Sequence, residues 1–296
     1  MTRIHSLLYR LSVFHKRIYL IFWRKRNSSR GNSHLGGEVA VLKNIPFSTE
    51  RVYLRPTSSD VARVSEFLDG IYFSKSYLHD RLRLSAPTTL IDVGANIGLS
   101  TLSLIREFPT ITKVVAIEAE AHNFDILRMN FDLWSKEYPH ICFEPMHRIA
   151  TSSSKNKMKE IVSLAEATGQ NTASGTFRFE VDGTDEAPVR ENSIDSIAVS
   201  DIVSNCQEAV GIIMKIDIEG GEEHLLSENS DWVARLSFLT IEVHDRYHSS
   251  LINSSRHLMR VLSGGDFALV AEHDVLHCYS RGNLFADTIS SLTSAD

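Results

Sequence analysis

The chain contains few cysteines, and its amino-terminal region has no long hydrophobic segment. The three cysteines lie far apart and form no C-x-x-C pair, which argues against a disulfide-stapled domain and against a zinc site. Such a scattered set is typical of reduced thiols in the cytoplasm, where we expect the protein to reside. The longest apolar run of the amino-terminal region, Ile18 to Trp23, is far shorter than the ~20 residues that cross a bilayer.

Acidic residues are absent before Glu38, whereas eight lysines and arginines lie in that region. Its apolar residues recur at steps of three and four, beside arginines at every seventh position. This pattern predicts a basic amphipathic helical arm over residues 1–30, which would lie on an anionic membrane surface through residues 1–26 or against a protein partner. Lys16 and Arg17 interrupt the continuous hydrophobic region that a cleavable signal peptide would need, so such a peptide is not indicated. The overall charge of −6 disfavours a nucleic-acid substrate.

A buried strand followed by a glycine turn and a helix is the feature that organises the rest of the chain. Residues 88–93 are apolar and β-branched, as expected for a strand that is covered on both faces. Gly94 and Gly98 allow a tight turn and a close approach of the backbone to a ligand, and leucines at helical spacing follow. The order strand, glycine turn and helix predicts a nucleotide-type pocket at the carboxyl end of the strand.

The third glycine of a dinucleotide-binding motif is missing from this turn. The pattern is Gly94-x-x-x-Gly98, with Asp92 two residues before the first glycine. A carboxylate beside the turn would repel a pyrophosphate, whereas it suits a zwitterionic ligand that carries an ammonium and a sulfonium. Glu118 ends the next strand, where it is well placed to accept hydrogen bonds from both ribose hydroxyls.

Polar side chains alternate with apolar ones near the ends of two later strands. The segment 211–218 brings Lys215, Asp217 and Glu219 to one face, and the segment 238–243 does the same for Glu242 and His244. Because doubly wound sheets bind ligands beyond the carboxyl ends of their strands, these side chains are expected to converge with Asp92.

These segments resemble the FkbM family of S-adenosylmethionine-dependent methyltransferases. The first motif is Asp92-Val-Gly-Ala-Asn-Ile-Gly98, followed by Glu118-Ala-Glu-Ala-His-Asn-Phe124; the second is Lys215-Ile-Asp-Ile-Glu-Gly220, and the third is Thr240-Ile-Glu-Val-His244. The resemblance implies an α/β fold with a doubly wound, mostly parallel seven-stranded sheet over residues 86–285. A linker and lead-in would precede it (31–85), and a polar tail would follow (286–296).

The resemblance also implies S-adenosylmethionine as cofactor and a small-molecule or glycan hydroxyl as methyl acceptor. The cofactor contacts that it implies are Asp92, Gly94, Ala95, Asn96, Gly98, Glu118, Ala119 and Asp217. The substrate contacts are Glu242, Lys215 and Tyr72. An acidic residue that usually holds the adenine is replaced here by Ala150-Thr-Ser-Ser153.

A hydroxyl acceptor needs a base, and two candidates follow from the pattern. His244 has a suitable unperturbed pKa of ~6.5, and a crowded carboxylate, Asp217 or Glu219, is the competitor. Two carboxylates and a histidine could instead hold Mg²⁺. We expect metal-free catalysis, since Lys215 would lie in the same patch and neutralise it; Glu242 is its expected partner.

Several further expectations concern the remaining chain. Four residues of the lead-in could shape the mouth of the substrate site, but we expect them instead to have structural roles at the surface: Arg55, Asp60, Tyr72 and Tyr77. A helix is predicted over residues 158–165. Two other functions stay open, a nicotinamide-dependent oxidoreductase and a non-catalytic binding module with the same fold.

Overall fold

A computed structural model describes most of the central part of the chain. The described residues are 39–42, 51–56, 58–69, 82–152, 159–163, 177–180, 193–218, 221–227, 230–244, 253–263, 266–272 and 275–284. The predicted basic arm, Tyr72, Tyr77, Glu219 and the polar tail lie outside these ranges, so the expectations for them stay predictions. No helix in the described part of the chain is long and apolar enough to cross a bilayer.

A seven-stranded sheet forms the centre of the molecule. Its strands, in chain order, are β3 (Thr88–Val93), β4 (Ile111–Glu118), β5 (Cys142–His147), β11 (Gly211–Ile216), β12 (Phe238–Glu242), β13 (Phe267–Glu272) and β14 (Val275–Ser280). Their spatial order is β13-β14-β12-β11-β3-β4-β5, and β14 alone runs antiparallel to its neighbours. This is the predicted doubly wound, mostly parallel sheet.

Helices cover both faces of this sheet. They are α1 (Asp60–Asp69), α2 (Leu99–Glu107), α3 (Ala121–Glu137), α4 (Val199–Ser204), α5 (Glu222–Ser227) and α6 (Asn253–Ser263). Side chains of α1, α2 and α3 pack with Leu90 of β3 in one hydrophobic cluster, whereas α4, α5 and α6 pack with Ile91 and Val93 in a second one. Because successive side chains of a strand point to opposite faces, β3 is buried on both sides, which accounts for the absence of an alternating apolar and polar pattern in its sequence.

Shorter strands lie outside the main sheet. The pairs are β1 (Ala40–Leu42) with β2 (Val52–Leu54), and β6 (Ile149–Thr151) with β10 (Ser196–Ala198); β7 (Lys159–Ser163) pairs with β8 (Phe177–Glu180) and β9 (Ser193–Ile194). The helix predicted over residues 158–165 is therefore wrong. Ile161 and Val162 are β-branched, and antiparallel pairing with β8 determines the structure there.

The lead-in packs on the same core as the sheet. Leu42, Val52 and Leu54 share the hydrophobic cluster of α2 and α3. Asn130 of α3 connects the two parts, because its side-chain amide donates to the carbonyls of Tyr53 (3.1 Å) and Ile97 (2.8 Å).

Arg55 and Asp60 are buried, so the expectation of surface roles for them is wrong. Arg55 Nη2 lies 2.8 Å from Asp60 Oδ1, Nε donates to Oδ2 at 2.9 Å, and Nη2 also donates to Asn123 of α3. A buried guanidinium needs such a partner, and the pair joins the lead-in to the first turn of α3.

Candidate active site

The centre of the sheet contains a point at which the strand order reverses. From β3 the chain proceeds outward through β4 to β5, and later it returns to place β11 on the other side of β3. Ligands of doubly wound sheets bind in the crevice that such a reversal opens at the carboxyl ends of the strands. The segments after β3, β4, β11 and β12 therefore border the candidate site.

Gly94 and Gly98 shape the turn after β3, and both have positive φ angles, of 81° and 92°. A Cβ on Gly94 would lie 1.8 Å from the backbone oxygen of Asp217, and one on Gly98 would lie 2.9 Å from Leu127 Cδ1. These protein contacts alone require glycine at both positions, and close approach of the turn to a ligand stays a prediction. Glycine is needed because the turn packs directly on the chain after β11 and on α3.

Asp92 lies beneath this turn and is fully buried. Its Oδ1 lies 3.2 Å from Lys215 Nζ, and its Oδ2 accepts hydrogen bonds from the hydroxyls of Ser100 (2.9 Å) and Thr101 (2.5 Å). These partners all lie within the protein, and the contact of this carboxylate with the ammonium of a ligand stays a prediction. Asp92 fixes the turn from below.

Lys215 is also buried and holds the same turn. Its Nζ donates to the carbonyl of Gly94 at 2.9 Å and lies 3.5 Å from Asp217 Oδ2. Asp92 and Asp217 are thus its ion-pair partners in place of the expected Glu242, and its role as a substrate contact stays a prediction. The register explains this, because Lys215 lies directly beside Asp92 on the neighbouring parallel strand.

Glu118 lies at the end of β4, against the same turn. Its Oε2 accepts a hydrogen bond from the backbone N–H of Asn96 at 2.7 Å, and its Oε1 accepts one from Glu120 at 2.8 Å. Burial raises the pKa of Glu118 to about 7, although these two hydrogen bonds act in the opposite direction. Glu120 in turn caps α3 by accepting from the N–H groups of His122 and Asn123.

The other predicted cofactor residues surround Glu118. Ala95 is buried and donates its N–H to the carbonyl of Ile117 at 3.0 Å. Asn96 has a positive φ of 53° and turns its backbone N–H toward Glu118. Ala119 follows Glu118 and forms a small buried apolar cluster with Ile149 and Ile194.

Asp217, Glu242 and His244 come together beyond β11 and β12, as their alternation predicts. His244 Nε2 lies 3.2 Å from Glu242 Oε1 and 3.9 Å from Asp217 Oδ1. The imidazole is buried, whereas the carboxylate side chains of Asp217 and Glu242 are 26% and 33% exposed. The three side chains thus form one cluster that faces solvent on its carboxylate side.

Glu222 is a member of this site that the sequence reasoning missed. Its Oε1 lies 2.7 Å from His244 Nδ1, and both side chains are buried. Its position in the first turn of α5 also allows a favourable interaction with the helix dipole. A carboxylate in the turn that follows one strand, together with a histidine at the end of the neighbouring strand, was the signal available.

A family model described as "Methyltransferase FkbM domain" matches residues 92–269 of this chain. That segment covers more than half of the chain, and it includes the glycine turn, Glu118 and the whole cluster around His244. The chain belongs to the FkbM methyltransferase family. It is therefore a methyltransferase, and the family implies S-adenosylmethionine as methyl donor.

One relative of this FkbM-family chain is a methyltransferase from Streptomyces. The 31-O-demethyl-FK506 methyltransferase FkbM of Streptomyces tacrolimicus is 26% identical over 243 residues, which cover 75% of this chain and 90% of the relative.

Among solved structures, methyltransferase FkbM from Methylobacillus flagellatus matches with a TM-score of 0.45 and 17% identity, covering 74% of this chain. This chain spans about half (54%) of that protein. An O-methyltransferase from Bacillus cereus, solved with S-adenosylhomocysteine, matches with a TM-score of 0.36 and 12% identity, over 65% of this chain and 74% of its own.

Proposed function

We propose that this methyltransferase transfers a methyl group from S-adenosylmethionine to a hydroxyl oxygen of a small-molecule or sugar acceptor. The observation that carries the proposal is the position of a polar proton-accepting cluster, Asp217, Glu242 and His244, beside the crevice that Glu118 and the glycine turn border. The name of the Streptomyces relative, which specifies a 31-O-demethyl compound, also supports an oxygen acceptor.

The residues around Glu118 fit an adenosyl group. Its carboxylate oxygens each offer more than one acceptor position, so the hydrogen bonds from Asn96 and Glu120 leave capacity for ribose hydroxyls. Ala119, Ile149 and Ile194 would provide the apolar wall for the adenine ring. When bound, S-adenosylmethionine supplies a methyl group on a positively charged sulfur.

The cluster around His244 would serve the acceptor. A positioned oxygen and a site for its proton are what the protein must supply in a direct displacement. With Nδ1–H donating to Glu222, Nε2 would be the basic nitrogen, and it faces Asp217 and Glu242. Nε2 can therefore take a proton or bind a cation, and the exposed carboxylates leave this side open to an acceptor.

The ionisation of Glu118 predicts how cofactor affinity depends on pH. A carboxylate with a raised pKa is ionised above pH 7 and protonated below it, and the protonated form has lost acceptor capacity for the ribose. We expect the dissociation constant of S-adenosylhomocysteine to rise by up to ~tenfold per pH unit below pH 7. Calorimetric titration between pH 5.5 and 8.5 measures this.

Two variants sharpen the pH experiment. Glu118→Gln should bind S-adenosylhomocysteine more weakly than wild type does at pH 8. Its affinity should not vary with pH in this way, since the glutamine side chain cannot ionise. Glu144→Gln replaces a 43% exposed carboxylate on β5, and this variant should show the same pH dependence as wild type. A wild-type affinity that stays constant from pH 6 to 8 would contradict the role of Glu118.

Transfer of tritium from methyl-labelled S-adenosylmethionine tests the acceptor chemistry. Sugars and small alcohols should become labelled, whereas matched amines should not. His244→Ala should lower the rate by roughly 10²–10⁴-fold, the usual contribution of a positioned proton acceptor. His140→Ala, which changes an exposed histidine, should leave the rate unchanged.

Each contrary outcome has a definite meaning. Labelling of amines with no labelling of alcohols would contradict the oxygen acceptor. Tight binding of S-adenosylmethionine with no labelling of any acceptor would instead favour the non-catalytic binding module. An unchanged rate in His244→Ala would remove the cluster from the reaction.

A further inference from the structure

We propose that Asp217, Glu242 and His244 form a binding site for a divalent cation such as Mn²⁺ or Mg²⁺. The three side chains offer two carboxylate oxygens and one imidazole nitrogen, and these atoms lie within 4.8 Å of one another. A cation held ~2.1 Å from its ligands separates neighbouring ligand atoms by about 3 Å and opposite ones by about 4 Å. The measured separations, 3.2 Å from Nε2 to Glu242 and 3.9 Å from Nε2 to Asp217, fall in this range.

The support behind His244 is that of a metal ligand. Metal-binding histidines usually donate their other ring N–H to a carboxylate, which fixes the tautomer and the ring orientation. Glu222 has this position, 2.7 Å from Nδ1 and fully buried. With Nδ1–H donating to Glu222, the lone pair of Nε2 faces two carboxylate oxygens, and these three electron-pair donors are suited to bind one cation.

The charge of the site favours a divalent cation over a single proton. Among the residues that the structure describes, four carboxylates, those of Asp92, Asp217, Glu222 and Glu242, are grouped around one lysine and one histidine, and the following charge balance concerns this set. A proton on His244 would leave two negative charges uncompensated, whereas a divalent cation would leave one.

Lys215 does not occupy the proposed site. Its Nζ lies near Asp217 Oδ2, which leaves Oδ1 directed toward His244. The expectation of metal-free catalysis rested on this lysine, which does lie 3.5 Å from Asp217 Oδ2; it also pairs with Asp92 and the carbonyl of Gly94, so it lowers the charge of the patch without lying among the three ligand atoms. The partly exposed carboxylates leave coordination positions open for water or for a substrate oxygen, as catalytic sites require.

A chemical role follows that rests on the proposed function. A hydroxyl oxygen bound to the cation has a lowered pKa, so its proton passes to water while the oxygen keeps the electron pair. That pair forms the new C–O bond as the C–S bond breaks and its electrons return to sulfur. His244 is then a ligand, and Nε2 does not take the proton.

Mn²⁺ binding to the full chain tests the site without any acceptor. After dialysis against a chelator, titration followed by electron paramagnetic resonance should show one bound Mn²⁺ per chain. His244→Ala and Asp217→Asn should each weaken binding by at least tenfold, and Glu222→Gln by roughly 10–100-fold, as for other supporting carboxylates. Glu144→Gln, on an exposed carboxylate of β5, is the matched control and should bind as wild type.

Separate readouts distinguish this inference from the proposed function. Thermal unfolding and S-adenosylhomocysteine binding show that each variant is folded. Absence of a bound Mn²⁺, or equal affinity in wild type and His244→Ala, would overturn the cation site. Methyl transfer that continues in excess chelator would also overturn the cation site, and it would leave the proposed function intact. Bound Mn²⁺ without methyl transfer to any hydroxyl would support the cation site and contradict the proposed function.

Discussion

Replacing Gly94 with alanine should destabilise the protein by at least about 4 kcal/mol and abolish cofactor binding. The new Cβ would lie 1.8 Å from the backbone oxygen of Asp217, which no side-chain rotation can relieve. The φ of 81° adds strain, because residues with a Cβ disfavour this region. The turn after β3 and the chain after β11 would have to separate, which would open the crevice. Thermal and denaturant unfolding measure the loss.

Gly211→Ala is the control for this experiment. Gly211 lies in β11 of the same sheet, and the nearest atoms to its added Cβ are 3.4 Å away, an ordinary contact. The free energy of unfolding of the Gly211→Ala variant should stay within about 1 kcal/mol of the wild-type value. Equal stability of the two variants would show that the turn does not pack on Asp217 as described.

Replacing Lys215 with methionine should cost roughly 3–5 kcal/mol, since it leaves the carboxylate of Asp92 buried without its cation. Burial alone would lower the pKa of Lys215, but Asp92 and Asp217 raise it above the usual value, so the lysine is charged in the folded protein. The hydrogen bond to Gly94 would be lost as well. Urea unfolding at pH 7.5 provides the measurement.

Two further variants separate charge from packing. Lys113→Met removes a lysine from the neighbouring strand β4, where its pair with Glu144 is 40% and 43% exposed, and should change stability by less than about 1 kcal/mol. Adding Asp92→Asn to Lys215→Met should recover roughly 0.5–3 kcal/mol relative to the sum of the single changes. Additive losses would mean that the two side chains do not interact.

The sheet and the location of the site could be predicted because they depend on local patterns. The apolar run of β3 followed by Gly94 gives a buried strand and a turn, and period-two alternation places Asp217, Glu242 and His244 at the ends of β11 and β12. Parallel strands end at the same edge of the sheet, so the location of these side chains at that edge follows without knowledge of strand order, whereas their contact requires β11 and β12 to be neighbours.

The pairings within the site could not be predicted, because they depend on which strands are neighbours and in what register. Lys215 binds Asp92 since β11 pairs with β3 in a register that sets these residues side by side. Alternation indicates the face of the sheet on which a side chain lies. It does not indicate which residue of the neighbouring strand lies beside that side chain. The burial of Arg55 and Asp60 has the same cause, since the docking of the lead-in on α3 is a long-range contact.

We propose that the crevice between the glycine turn and Glu118 binds an S-adenosyl nucleoside and not a dinucleotide. Calorimetric titration of the wild-type chain with S-adenosylhomocysteine and, separately, with NAD⁺ tests it most directly. The account predicts one S-adenosylhomocysteine per chain, no heat with NAD⁺, and loss of the first signal in Glu118→Ala. Saturable binding of NAD⁺ without binding of S-adenosylhomocysteine would contradict it.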